Sequence, residues 1–189
     1  DFVPSSFSTT AQEEILNSSK EEFIIQDYLK AENFEVDLPL KNTAGNQTHQ
    51  RVPLLGLVQP QSPLFKFFAR NPMDYPGSSD QIRFPMTYVN NPKNNGKTGE
   101  HIISVPHSEP YNLKGLSELL EEIEDRARKE KGENPRLKDQ PRDGIYKYND
   151  PWFDERHSNC SIIDNPKDGS RLDISDVMEA IWHFGNPLE

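Results

Sequence analysis

The chain has 189 residues and a formal net charge of −10, and 33% of its residues are hydrophobic. This length allows one domain with a core of its own. The acidic balance disfavours nucleic acid and anionic lipid as partners, because both are bound by concentrated Lys and Arg. No run of about 18 apolar residues occurs, so we expect a soluble protein without membrane insertion. The charge favours a basic protein partner.

The cysteine count and the chain ends set further limits. The single cysteine, Cys160, excludes an intrachain disulfide and a zinc site built on paired cysteines. Residues 188–189 have the form of a cloning scar, so we predict a single domain over 1–187, with 1–33 as a helical N-terminal extension. Three sequons are compatible with a secreted or extracytoplasmic location: Asn17, Asn46 and Asn159.

The first half of the chain mixes helical and strand patterns. The predicted elements are a helix over 20–32, a strand over 34–40, a loop over 41–50, a helix over Leu64–Arg70, and a hairpin of strands Ile82–Tyr88 and His101–Val105. Capping boxes at Thr10 and Ser19 leave two alternatives open, a break near Asn17 or one longer helix. The run 52–58 contains a proline and a glycine, so its type is left open.

The second half of the chain ends in its best-specified helix. The predicted elements are a helix from Asn112 to about Lys131, a linker over 133–143, short strands over Ile145–Tyr148 and Cys160–Ile163, and a helix over 174–184. The apolar stripe of the first helix thins past Ile123, which predicts solvent-exposed final turns. Asp173 is predicted to cap the last helix and Trp182 to pack against the sheet.

These patterns define a fold class. No internal repeat occurs, and the regular strand–helix alternation of a doubly wound fold is missing. The sequence therefore predicts an α+β fold with a small, mainly antiparallel sheet. We expect about four or five short strands, packed by three or four helices and joined by long polar loops.

An aromatic and acidic segment is the candidate binding site. Its residues are Tyr146, Tyr148, Asp150, Trp152, Phe153 and Asp154. Aromatic rings beside carboxylates suit a carbohydrate or a cationic peptide, through stacking and cation–π contact, and they are typical of an interface hot spot. The alternative is that these rings supply the core of an aliphatic-poor domain. Trp152 is the ring that we expect to be exposed.

A candidate metal site is the segment DNPKDGSRLDISD, which supplies the carboxylates of Asp164, Asp168 and Asp176. It resembles the calcium loop of EF-hand and dockerin modules, in which spaced carboxylates surround the ion and a glycine allows the turn. Pro166 and Ser175 stand where that pattern has ligands, which departs from it. The alternative is a polar turn followed by a helix N-cap. No cofactor is predicted apart from calcium at this segment.

Two histidine-containing pairs complete the candidates. His157 and Cys160 have the residue types of a thiolate nucleophile and its base, although a small buried cysteine at the start of a strand explains Cys160 without catalysis. His101 and His107 flank a predicted strand and are expected to be solvated. The common nucleotide-binding, α/β-hydrolase and zincin motifs are absent from the sequence.

The sequence leaves three functional hypotheses. The leading one is a non-enzymatic acidic module that recognises a basic protein partner through the aromatic–acidic loop. The second is a hydrolase of unrecognised family that uses residues of the C-terminal third. The third is a calcium-stabilised secreted or cell-surface domain.

Overall fold

The computed structural model describes residues 9–40, 48–62, 64–76, 78–91, 100–134, 152–155, 160–164, 166 and 169–185. The helices are α1 (Thr9–Glu22), α2 (Phe65–Arg70), α3 (Leu116–Glu130) and α4 (Ile174–Gly185). The strands are β1 (Glu32–Pro39), β2 (His49–Val58), β3 (Met86–Asn91), β4 (Glu100–Pro106), β5 (Phe153–Glu155) and β6 (Cys160–Asp164). None of the described helices is long and apolar enough to cross a membrane.

The strands form one open sheet in the order β1–β2–β3–β4–β6–β5. Neighbouring strands are antiparallel, apart from the parallel pair of β2 and β3. Helices pack on both faces of this sheet, and the α+β class predicted from the sequence is confirmed. The described sheet has six strands against the predicted four or five, because the run 52–58, whose type was left open, belongs to β2, and residues 153–155 form a strand where a loop was expected.

Helices α3 and α4 cover the first face of the sheet. The strands and the two helices contribute buried apolar residues to this core: Val36, Leu54, Tyr88, Ile103, Ile163, Leu116, Leu120, Val177 and Ile181. Helix α4 lies so close to β1 that a Cβ atom at Gly185 would overlap the carbonyl of Asp37. The Nδ1 atom of His49 donates to the Gly185 carbonyl over 3.1 Å, which fixes the same end of α4 to β2.

The second face is covered by α2 and by the N-terminal helical segment. Its core combines aliphatic residues with stacked aromatic rings: the centroids of Phe23 and Phe68 lie 5.6 Å apart, and those of Tyr28 and Tyr75 lie 4.1 Å apart. The buried carboxylate of Asp27 accepts the backbone N–H groups of residues 61 and 62 over 2.7 and 3.0 Å. The N-terminal segment therefore contributes core residues and also holds the chain that leaves β2.

The N-terminal segment is one continuous helical stretch. Helix α1 passes through Asn17 without a break and continues as a π-helical turn (Phe23–Asp27) and a 3-10 turn (Tyr28–Lys30). Of the two alternatives, the longer helix is therefore correct. The predicted cap at Ser19 is wrong, because Ser19 lies inside the helix, where backbone amides already have intrahelical partners.

The central strands differ from their predicted bounds. The run 52–58, whose type the sequence left open, belongs to β2. Residues of β2 are buried in both core clusters, and burial on both faces removes the alternation of apolar and polar residues that marks a strand. The predicted loop 41–50 is wrong at its end, since β2 starts at His49, while residues 41–47 lie outside the described residues. Strand β3 starts at Met86, after Pro85, and Ile82 makes only an isolated bridge to Met73.

Other predicted elements are confirmed with small shifts. The helix predicted over Leu64–Arg70 is α2, the hairpin is the β3–β4 pair, and the strand over Cys160–Ile163 is β6. The predicted cap at Asn112 is wrong, because α3 begins after Gly115, and the Asn112 carboxamide instead accepts the Lys114 N–H over 3.0 Å. Most of the linker and the strand over 145–148 lie outside the described residues.

Helix α4 has its predicted bounds to within one residue, and its predicted apolar stripe packs into the core apart from Trp182. Its cap is confirmed, since Asp173 Oδ1 accepts the N–H of Asp176 over 3.0 Å. Trp182 is 46% exposed, so its predicted packing against the sheet is wrong. The neighbouring Ile181 is 0% exposed and occupies the sheet-facing side instead.

We expect Ile181→Ala to lower the free energy of unfolding by about 2–5 kcal/mol, because it leaves a cavity in the core. The adjacent change Trp182→Ala removes a larger but half-exposed ring and should cost at most about 1 kcal/mol. Urea unfolding of both variants measures the difference. A larger loss for Trp182→Ala would contradict the described orientation of α4.

Candidate functional site

The aromatic–acidic segment is partly described. Its first three candidates lie outside the described residues: Tyr146, Tyr148 and Asp150. Phe153 and Asp154 belong to β5, where they pair with Asp164 and Ile163 of β6. The described end of the segment is therefore an edge strand of the sheet, not part of a free loop.

Trp152 is buried, and its predicted exposure is wrong. Its exposed fraction is 0%, and its ring centroid lies 6.0 Å from that of His101 within the core of the first face. Its backbone N–H donates to Glu121 Oε2 over 2.7 Å. Large aromatic rings are mostly buried, and this was the alternative that the sequence offered. Trp152 therefore anchors the start of β5 to α3 and is closed to a partner.

His101 is a polar residue inside the same core. It is 1% exposed, so its predicted solvation is wrong, whereas His107 is exposed as predicted. Its Nδ1 atom accepts hydrogen bonds from the Tyr88 hydroxyl over 2.8 Å and the Asn90 amide over 3.2 Å. Its Nε2 atom donates to the Leu172 carbonyl over 3.2 Å. These partners hold a neutral imidazole, because Nδ1 acts as an acceptor.

The environment of His101 makes the fold sensitive to acid. Burial lowers the pKa of His101 below the ordinary value of 6.5, against the smaller opposing effects of the Leu172 carbonyl and of the carboxylates of Asp173 and Asp176. The unfolded chain then binds more protons than the folded chain just below pH 6.5. The contribution of His101 to stability is complete above that pH and is lost as the pH falls towards the folded pKa.

We expect the free energy of unfolding to fall between about pH 7.5 and 5.5, and this fall to be smaller in His101→Gln. Glutamine does not titrate, and its amide retains an N–H group for the Leu172 carbonyl. Urea unfolding at several pH values measures both slopes. Equal slopes in the two proteins would show that His101 is not the group responsible.

The metal candidates are only partly described, and the structure does not test them as a set. Asp176 Oδ2 accepts the N–H of Asp173 over 2.9 Å, completing a reciprocal capping box at the start of α4. Asp164 follows Ile163, a core residue of the α4 face, so strand alternation directs Asp164 to the opposite face. Asp168 lies outside the described residues, and calcium binding stays a prediction. In the described ranges, no group of three or more His, Cys, Asp or Glu is placed to hold a metal.

The proposed nucleophile–base pair is not tested by the structure. His157 lies outside the described residues. Cys160 begins β6, where its backbone pairs with Pro106 of β4. The hydrolase alternative therefore stays a hypothesis.

A buried ion pair on α3 is hydrogen-bonded to the segment that leads into α4. Glu124 is 0% exposed, and its carboxylate accepts hydrogen bonds from Arg128 Nε over 3.1 Å, Ser170 Oγ over 2.6 Å and the Arg171 N–H over 2.8 Å. The Arg128 guanidinium also donates to the Gly169 carbonyl over 3.4 Å. The prediction that the last turns of α3 extend into solvent is therefore only partly correct. Glu124 and Arg128 are buried against residues 169–171, whereas Arg126, Lys129 and Glu130 are exposed.

A second arginine extends this cluster towards the surface. The Arg171 guanidinium donates to both carboxylate oxygens of Glu133, over 3.1 and 2.9 Å. Hydrogen bonding to Arg171 lowers the pKa of Glu133. Glu124 and Arg128 are four residues apart on α3, a spacing at which opposite charges meet, but the burial of the pair depends on Ser170, 46 residues after Glu124. No local sequence pattern predicts that contact.

We expect Glu124→Gln to lower the free energy of unfolding by about 3 kcal/mol, because it leaves the buried Arg128 guanidinium with only the more distant Glu133 carboxylate, at 3.4 Å. Glu122→Gln makes the same chemical change at an exposed position of the same helix and should stay within about 0.5 kcal/mol of the parent protein. Thermal or urea unfolding compares the two. Equal effects would contradict the burial of the ion pair.

Helices α3 and α4 run antiparallel and leave a groove between them. The end of α3 meets the start of α4 at Arg128 and Gly169, while Gly115 before α3 lies beside the Phe184 ring at the end of α4. The groove has a volume of about 710 Å³. Its apolar floor is formed by Leu119, Ile123, Ala127, Leu172, Ala180 and Phe184. We refer to this feature as the α3–α4 groove.

The rim of the α3–α4 groove is mainly acidic. Its charged and titratable lining residues are Arg126, Glu130, Asp176, Glu179 and His183. Because the helices are antiparallel, the three carboxylates gather where α3 ends and α4 begins. The side chain of Glu179 is 71% exposed and lies 3.3 Å from His183 Nε2. Its carboxylate is therefore accessible to a cation on a partner.

A second hollow continues the groove past Phe184. It has a volume of about 430 Å³, and Phe184 lines both hollows. Its other lining residues include Lys114, His49 and Glu118. The carboxylate of Glu118 accepts a hydrogen bond from the Ser117 hydroxyl over 2.9 Å. Lys114 and Glu118 carry opposite charges, so this end is close to neutral, whereas the first hollow has three carboxylates and one arginine.

Comparisons with protein-family models, curated proteins and solved structures found no match. The function must therefore be argued from the geometry of the chain itself. An open groove with an apolar floor and charges on its rim suits a protein segment, because the floor buries apolar side chains and the rim selects charge. Sequence reasoning missed this site, since its two walls are far apart in the chain.

Proposed function

We propose that this protein is a non-enzymatic binding module that takes up a basic segment of a protein partner in the α3–α4 groove. The observation that carries the proposal is the combination of an apolar floor with three carboxylates at one end of the groove. The proposal keeps the basic partner inferred from the sequence and moves the contact surface away from the buried Trp152.

The charge of the whole chain supports a basic partner. The net charge of −10 attracts a cationic segment at long range and raises its rate of association. The carboxylates of Glu130 and Glu179 lie on exposed residues at the groove, where they can pair with Lys or Arg. Arg126 is a cation among the same lining residues, so the groove also limits how many positive charges a partner places there.

The apolar floor supports a protein segment over a lone cation. Ile123, Ala127 and Phe184 are partly buried, and their remaining surface faces the groove. Covering this surface would remove apolar area from water, which stabilises a complex by about 25 cal/mol per Å² of buried apolar area. A floor of this kind gives affinity, while the rim carboxylates give selectivity for positive charge.

We expect the double reversal Glu130→Lys/Glu179→Lys to weaken binding of a synthetic Lys/Leu amphipathic peptide by about tenfold. The change replaces two attractions by two repulsions, each worth up to about 1 kcal/mol at an exposed site. Fluorescence anisotropy at low and moderate salt measures the dissociation constant. The affinity of the parent protein should also fall as salt rises.

The matched control is Glu13→Lys/Glu14→Lys on α1, which changes two exposed glutamates away from the groove. Both doubles alter the net charge by the same amount, from −10 to −6, since each substitution adds two positive charges. The control should lose much less affinity than the groove variant. Equal losses would attribute binding to net charge alone and would overturn the groove as the site.

A further inference from the structure

We propose that the occupant of the α3–α4 groove is a single amphipathic helix of about three turns, lying parallel to α4. This inference rests on the proposed function and goes beyond it, because it specifies the conformation and the direction of the bound segment. Three features carry it: the length of the groove, the spacing of its floor residues and the charge difference between its ends.

The walls of the groove set the length of the occupant. The lining residues of α3 extend from Leu119 to Glu130, which corresponds to about 17 Å of helix at 1.5 Å per residue. Those of α4 extend from Asp176 to Phe184, or about 12 Å. A helix of about three turns is about 16 Å long and covers both walls.

The floor has the spacing that a third helix requires. On α3 the apolar residues Leu119, Ile123 and Ala127 follow one another at four-residue intervals, so they form one ridge along the groove. Ala180 and Phe184 repeat the same interval on α4. Two parallel ridges with a hollow between them accept the apolar stripe of an amphipathic helix, which places side chains at the same spacing.

The charges at the two ends set the direction. Carboxylates predominate near the start of α4, where Asp176 and Glu179 lie, whereas the second hollow beyond Phe184 is lined by the cation Lys114 together with the carboxylate of Glu118 and carries no excess of negative charge. The amino end of a helix carries partial positive charge, and its carboxyl end carries partial negative charge. The occupant therefore places its amino end over Asp176 and its carboxyl end towards Lys114, which is the direction of α4.

Two peptides of identical composition test the conformation. One arranges Leu, Ala and Lys as an amphipathic helix, and the other scrambles them so that no apolar stripe forms. We expect the scrambled peptide to bind the full chain at least about tenfold more weakly, because it cannot place its apolar side chains on the floor together. Equal binding of the two peptides would contradict a helical occupant but would be consistent with a basic partner. Binding of neither peptide would overturn the proposed function and this inference together.

A nitroxide label at either end of the helical peptide tests the direction. NMR of the protein then reports which amide signals of α4 are broadened. A label at the amino end should broaden Asp176 and Val177, and a label at the carboxyl end should broaden Phe184 and Gly185. The reversed pattern would overturn the parallel direction, and broadening on α1 would overturn the groove as the site.

Discussion

The buried carboxylate of Glu124 is the constraint on which the first face of the domain depends. Two buried charges pay a desolvation penalty that a good ion pair and further hydrogen bonds must offset. Here three groups donate hydrogen bonds to the same carboxylate: the Arg128 guanidinium, the Ser170 hydroxyl and the Arg171 N–H. The pair therefore favours one position for the segment before α4, because moving this segment would remove the Ser170 and Arg171 hydrogen bonds from the buried Glu124 carboxylate.

The α3–α4 groove follows from this attachment. Glu124 fixes the start of α4 to the end of α3, and the close contact of Gly185 with Asp37 fixes the other end of α4 to β1. With both ends held, α4 cannot shift sideways to close the gap against α3. A groove between helices that are held at both ends is preorganised, so binding a segment requires little reshaping of the protein.

Sequence reasoning recovered what is local and periodic. The stripe of α4, its Asp173 cap and the β3–β4 hairpin depend on neighbouring residues and were predicted. Contacts between distant segments could not be predicted, because composition does not say which polar groups meet. Trp152 illustrates this limit: its acidic neighbours suggested exposure, but Glu121 and the core of the first face bury it. The groove was missed for the same reason, since neither wall forms it alone.

The pairing of the first strand with the last helix has a consequence for folding. β6 enters the sheet beside β4, and Gly185 at the end of α4 contacts β1 and β2 near the start of the chain. Contacts between such distant segments close large loops and slow folding. On the ribosome, β1 and β2 therefore leave the exit tunnel well before the helix that covers them. The part of their apolar face that α4 covers therefore stays exposed until α4 has also left the tunnel, and transiently exposed apolar surface of this kind favours aggregation during synthesis.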